Sequence, residues 1–139
     1  MKILGIEFFG PTVTIRGECF KQRGPLLTRY RLIRSKNFGL FLHHLHRSDV
    51  RTPHDHPWWF VSLILWGGYV EHSPKHSEGM RGYGPGSLLF RGAEWVHRLE
   101  LVQPTWTLVL VGKRERKWGF HTLAGWVYWK DYGYKEEGC

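Results

Sequence analysis

Cysteine is nearly absent. Only Cys19 and Cys139 occur among 139 residues, the second at the last position. A disulfide scaffold and a cysteine-based metal site are therefore excluded as organising principles, and a reducing compartment fits best. Alanine is scarce while glycine is abundant, with 17 residues, which argues against a helical protein. No apolar run approaches the roughly 20 residues of a membrane span. The opening "MKILGIEFFG" turns charged and turn-like too soon for a secretory signal, so a cytoplasmic location is expected. Acidic residues are outnumbered by basic ones, 12 against 20, and the formal charge is +8. Such a field attracts anions: acidic metabolites, nucleotides or nucleic acid. The basic residues are spread along the chain, and there is no RNP-type, helix-turn-helix or zinc-finger pattern. Nucleic acid as a partner thus has charge but no motif behind it. No P-loop, dinucleotide-binding glycine motif or serine nucleophile elbow occurs.

What is present is a succession of short β-type runs separated by Gly or Pro. They include "KILGIEFF", "TVTIRGECF", "LLTRYRLIRS", "FGLFLHHLH", "WWFVSLILWGGYVEH", "SLLFR", "VHRLELV", "TWTLVLVG", "KWGFHT" and "GWVYWKDY". This spacing predicts an all-β sandwich or barrel formed by one domain over residues 1–139. No segment has a sustained helical period with caps. The apolar run "VSLILW" is expected deep in the sheet.

Histidines carry the chemical signal. His54 and His56 are two apart, so on an extended chain they project to one side, roughly 6–7 Å apart at the root. Both imidazoles can then reach one metal ion about 2 Å from each nitrogen, given a third ligand from elsewhere. In "VHRLELV", strand alternation puts His97 with Leu99 and Leu101 and against Arg98 and Glu100, so His97 points inwards.

The two segments "HDHPWWFVSLILWGG" and "PGSLLFRGAEWVHR" resemble the paired motifs of the cupin superfamily: H-x-H with a following glycine, then Pro-Gly, a short strand, a turn and a histidine. The resemblance covers residues 40 to 112 and implies a cupin-type jelly-roll β-barrel. It also implies a metal centre of His54, His56 and His97. Cupins usually carry a glutamate shortly after the second histidine, and here that place falls on Phe60 and Val61. Three neutral ligands remain, similar to the iron centre of the thiol dioxygenases. The expected cofactor is one divalent metal ion, iron by this precedent, with zinc, manganese and nickel as alternatives.

Around that centre, His44, His46, Glu71 and His121 are candidate acids or bases. Arg29 and Arg31, which share a strand face, are candidates for binding an anion, because a planar guanidinium suits carboxylate and phosphate. Trp58 and Trp59 are candidates for the pocket wall. Asp55, between the ligands, is expected to point away and be structural. The loop "EHSPKHSEGM", with His72 and His76, is expected to be exposed and lid-like.

Three functions follow. The first is a dioxygenase-like reaction on a small anionic substrate. The second is metal-dependent phosphodiester hydrolysis or lyase chemistry on a nucleotide. The third is a barrel that sequesters a nucleotide or other anion without turnover. The resemblance also implies a homodimer, and the lack of a long apolar run predicts no membrane partner. It extends to small cupins carried by bacteriophages, which would place the protein in a host cytoplasm.

Overall fold

The computed structural model describes residues 1–16, 25–48 and 52–132, and both cysteines lie outside them. The strands in chain order are β1 (Lys2–Ile3), β2 (Ile6–Phe8), β3 (Val13–Arg16), β4 (Pro25–Arg34), β5 (Gly39–Leu45), β6 (Phe60–Trp66) and β7 (Tyr69–His72). They continue with β8 (Met80–Tyr83), β9 (Leu88–Arg91), β10 (Arg98–Leu101), β11 (Thr105–Val111), β12 (Gly119–Thr122) and β13 (Gly125–Tyr128). A single helical turn, α1 (Trp129–Tyr132), closes the described chain, so "GWVYWKDY" is half strand and half helix rather than one strand.

One large antiparallel sheet runs β1-β2-β4-β5-β11-β6-β9, with β3 also paired to β4. A smaller sheet runs β10-β7-β8, and β12 and β13 form a hairpin. A short segment stitches these last two together. His54 exchanges both backbone hydrogen bonds with His97, at 2.9 and 3.0 Å. On its other side, the Asp55 N–H reaches Gly119 O at 3.0 Å and the His121 N–H reaches Pro53 O at 2.9 Å. The second layer of the sandwich therefore passes through His54.

Alternation decides what lies between the layers. On β11, Thr105, Thr107, Val109 and Val111 are buried, whereas Trp106, Leu108 and Leu110 face outwards and are half-buried. Strand register carries the same face across the sheet. Phe41 is level with Val109 and Ser62, and His43 is level with Thr107 and Ile64. Next door, Arg29 is level with His43, and Arg31 with Phe41. Phe41, Val109 and Val111 form one apolar cluster with Trp58 and Phe60. Ile64, Tyr69 and Leu89 form another, joined by Tyr83, Leu99 and Leu101 from the small sheet. Each such side chain contributes roughly 1.5–3 kcal/mol by leaving water.

Two expectations need correction. The run "VSLILW" is not buried on both faces: Ser62 and Ile64 point in, while Leu65 and Trp66 are 46 % and 66 % exposed. The reason is its place beside β9, the last strand of the sheet, with an apolar outer face. The loop after β7 is exposed along most of its length, as expected, but it is closed on itself at its base: Ser73 is buried, its N–H bonds to Gly79 O, the His76 N–H bonds to Ser73 O, and His72 and His76 are half-buried. At the other end of β7, Gly67 has φ +85°, and a side chain there would meet Pro104 O at 2.6 Å, so the Gly-Gly turn cannot accept a substituent. Among the described residues no helix is long and apolar enough to cross a membrane.

Candidate metal centre

His54, His56 and His97 converge, with one ring nitrogen of each within 4.8 Å of the others. The path of the chain explains this. His54 and His97 are bridge partners across the second layer, and His56 is held by its own N–H to Ala93 O at 3.0 Å. Asp55 points the other way, as the alternation requires. Its carboxylate accepts the Gly119 N–H at 2.8 Å, His121 Nε2 at 2.9 Å and Trp126 Nε1 at 3.0 Å, and it pairs with Arg116 at 3.1 Å. Burial alone would raise the Asp55 pKa, but the bonds from Gly119, His121 and Arg116 outweigh it and hold the group below the ordinary value. Asp55 thus anchors β12 from the residue between two ligands.

The hydrogen-bond partners fix the tautomers. His56 Nδ1 lies 3.1 Å from the Trp95 carbonyl, which can only accept, so Nδ1 carries the proton. His97 Nδ1 lies 2.6 Å from Glu71 Oε2. Burial works to raise the Glu71 pKa, but bonds from His97 and Arg91, then His76, bring it well below the usual carboxylate range. An ionised Glu71 only accepts, so His97 Nδ1 also carries a proton. The two Nε2 atoms face one another across 3.1 Å, a gap that either a proton or a shared cation can bridge. Two nitrogens, each about 2.0–2.1 Å from one ion, stand roughly 2.9–3.4 Å apart for octahedral to tetrahedral angles. The observed spacing fits a shared cation. Burial, then the nearby His97 and His54, push the His56 pKa well below the ordinary value, which keeps it neutral as a ligand must be. Phe60 stands where a carboxylate ligand was looked for: its ring centre is 4.6 Å from that of His56 and 6.1 Å from that of His97.

Glu71 is behind this centre rather than in it. Oε1 accepts from Arg91 Nη2 at 2.6 Å and His76 Nε2 at 2.7 Å. Oε2 accepts from His97 at 2.6 Å, Arg91 Nε at 3.1 Å and Trp95 Nε1 at 3.2 Å. With its lone pairs committed and 1 % exposure, it orients His97, which corrects its expected place as an acid or base. Arg91 also stacks on Trp95 at 4.1 Å. His76, expected to be exposed, is a half-buried member of this group.

Other candidates fall elsewhere. His44 is on the outer face of β5 and stacks on Trp106 at 4.0 Å, and His46, just past the end of the strand, bonds Thr28 at 2.7 Å. The strand turns His43 inwards instead. His121 follows Phe120, whose ring faces His54 at 6.1 Å, and so points away towards Asp55. Trp59 stacks outwards on Phe90 and covers Gly112. Arg31 is inward but ion-paired with Glu7. Trp58 does sit inside, against the Phe41 cluster, and Arg29 lies on the same inner face.

No protein-family model matches the chain, and no curated protein matches it. Solved structures do. The polyketide cyclase RemF from Streptomyces resistomycificus superposes with a TM-score of 0.60 at 20 % identity, over 79 % of this chain and 82 % of that one. KdgF from Halomonas sp. gives 0.59 at 16 % identity, over 78 % and 96 %. An RmlC-like cupin from Shewanella frigidimarina gives 0.52 at 12 % identity, over 66 % and 79 %. The chain has the cupin fold. Its large sheet and its His54-linked second layer are the two walls of the cupin barrel, and the histidine cluster lies on the second wall, facing in.

Proposed function

We propose that this cupin-fold chain is a metal-dependent enzyme that acts on a small anionic substrate, with His54, His56 and His97 holding one divalent ion. The observation that carries the reading is the convergence of the three imidazoles, with His56 Nε2 and His97 Nε2 facing one another at 3.1 Å and both Nδ1 atoms already bonded to acceptors. The chemistry an ion held by these three histidines would supply is Lewis acidity. Three neutral ligands leave its charge uncancelled, which favours an anion. Glu71 holds the His97 ring in place and raises its basicity. Phe60, Trp118 and Phe120 set apolar rings beside the ligands that limit water. Arg29 supplies positive charge on the opposite wall.

Among reaction classes, the reading favours non-redox cyclisation or elimination, since the structural neighbours include a polyketide cyclase and, from Ruegeria pomeroyi, the DMSP lyase DddQ. Iron-dependent oxygenation remains the second reading, carried by the three-histidine shell with no carboxylate. The test is reconstitution with zinc, manganese or iron, then product screening against small organic acids and nucleotides with oxygen uptake recorded alongside. Product without oxygen uptake supports the reading. Oxygen consumed in step with product transfers the chain to the second. Bound metal with no turnover of any compound leaves an anion-binding barrel and overturns the enzyme.

The working unit is proposed to be a homodimer. The outer face of the large sheet presents Trp66, Leu88 and Phe90 at 66 %, 68 % and 64 % exposure, an apolar surface continuous with Leu63 and Val61 on β6, and a second copy is its proposed occupant.

A further inference from the structure

Three of the arginines that reach the barrel wall are matched by carboxylates: Arg31 by Glu7, Arg91 by Glu71 and Arg116 by Asp55. Arg29 is different. Its Nε donates to His43 Nε2 at 2.9 Å, and its guanidinium carbon lies 4.7 Å from the centre of the Phe41 ring. Among the described residues no carboxylate contacts it, and the charge that influences it most is Arg34, of the same sign. Burial, then Arg34, lower its pKa to about 10, so it is still a cation at neutral pH. Its hydrogen-bond acceptor is a neutral ring. Burial, then Arg29 itself, push the His43 pKa down to about 3. An aspartate or glutamate in that place would also hold the guanidinium, but would cancel its charge.

We propose that His43 is a positioning residue that fixes Arg29 on Phe41 without neutralising it, so that Arg29 takes the carboxylate of the substrate inside the barrel. This rests on the reading of the chain as an enzyme for a small anion, and it names that anion as a carboxylic acid. A single guanidinium with one face covered by Phe41 and its Nε already used offers one planar edge. That edge matches a planar, singly charged carboxylate better than a doubly charged tetrahedral phosphate, which calls for further donors.

The test is calorimetric titration of the dicarboxylates from malonate to glutarate, and of inorganic phosphate, into zinc-loaded and chelator-stripped protein at pH 7. At least one dicarboxylate is expected to bind both forms, more tightly than phosphate does. Arg29→Lys and His43→Glu should each weaken it by roughly tenfold or more, the first by loss of the fork and the second by self-neutralisation. His43→Gln keeps an acceptor and should stay within about threefold of the parent. Thermal melts of each variant establish folding, and the His43 ring nitrogens should show a neutral imidazole by 15N NMR at pH 5. Unchanged binding in a folded His43→Glu variant, tighter binding of phosphate, or binding by the zinc-loaded form alone would each overturn the proposal. Binding by the stripped form in a chain that takes up no metal would instead sink the metal enzyme and leave the Arg29 site standing.

Discussion

Glu71→Gln tests how the metal centre is supported. Every partner of this carboxylate is a donor: Arg91 twice, His97, His76 and Trp95. A glutamine has the same shape, but one of its two terminal atoms becomes an NH2 group aimed at donors. Arg91, whose side chain is 10 % exposed, loses its counter-charge. Removing one member of a buried ion pair costs about 3–5 kcal/mol. For a chain of this size that corresponds to a fall in Tm of roughly 10–20 °C. Because His97 loses its fixed acceptor, metal affinity should also fall by about 10–100-fold. The two effects separate in the double variant Glu71→Leu, Arg91→Met. Replacing the pair by apolar side chains should recover much of the stability lost in Glu71→Leu alone, whereas metal affinity should stay low. Scanning calorimetry gives the first quantity and chelator competition the second. A Glu71→Gln variant that melts within about 1–2 °C of the parent and binds metal as tightly would refute the reasoning, since such a change is of surface-substitution size.

Other expectations follow from the same geometry. His43 is neutral in the fold, with a pKa of about 3 against 6.5 ordinarily, so the unfolded chain takes up its proton first as pH falls. Stability should therefore drop between pH 6.5 and 3, by an amount on the order of 4 kcal/mol that is absent in His43→Gln, as read by urea titration at each pH. Glu71 adds a second loss of the same sign that begins below its ordinary value of 4.5, because its folded pKa is depressed. Asp55→Asn should cost about 2–4 kcal/mol in urea denaturation, since Arg116, His121, Trp126 and the Gly119 N–H converge on that carboxylate; a loss below about 0.5 kcal/mol would deny it the anchoring role. Light scattering should find the parent a dimer and Phe90→Glu a monomer, while a monomeric parent would remove the outer face as an interface.

Much of the barrel was legible because strand alternation is a local property. The inward turn of His97 follows from Leu99 and Leu101 beside it, and the pairing of His54 with His56 from a spacing of two. The structure brings these three together. Sidedness on β5 was not legible. Its two faces carry Phe41 and Leu45 on one and Leu40 and Leu42 on the other, so hydrophobicity alone does not say whether His43 or His44 points in. The barrel decides it, by setting Phe41 level with Val109. The grouping of Glu71, His76, Arg91 and Trp95 was hidden for another reason. These residues come from a strand, a loop, a second strand and a turn, and only the folded loop after β7 brings His76 to Glu71. Nothing local announces that the partner of Arg91 lies twenty positions away.

The most direct measurement is metal analysis of the tag-free protein beside His97→Ala. The account predicts about one divalent ion per chain in the parent, taken up on purification or reconstitution, and its loss in the variant. A parent that binds no ion under either condition, or a variant that retains it in full, would contradict the three-histidine centre.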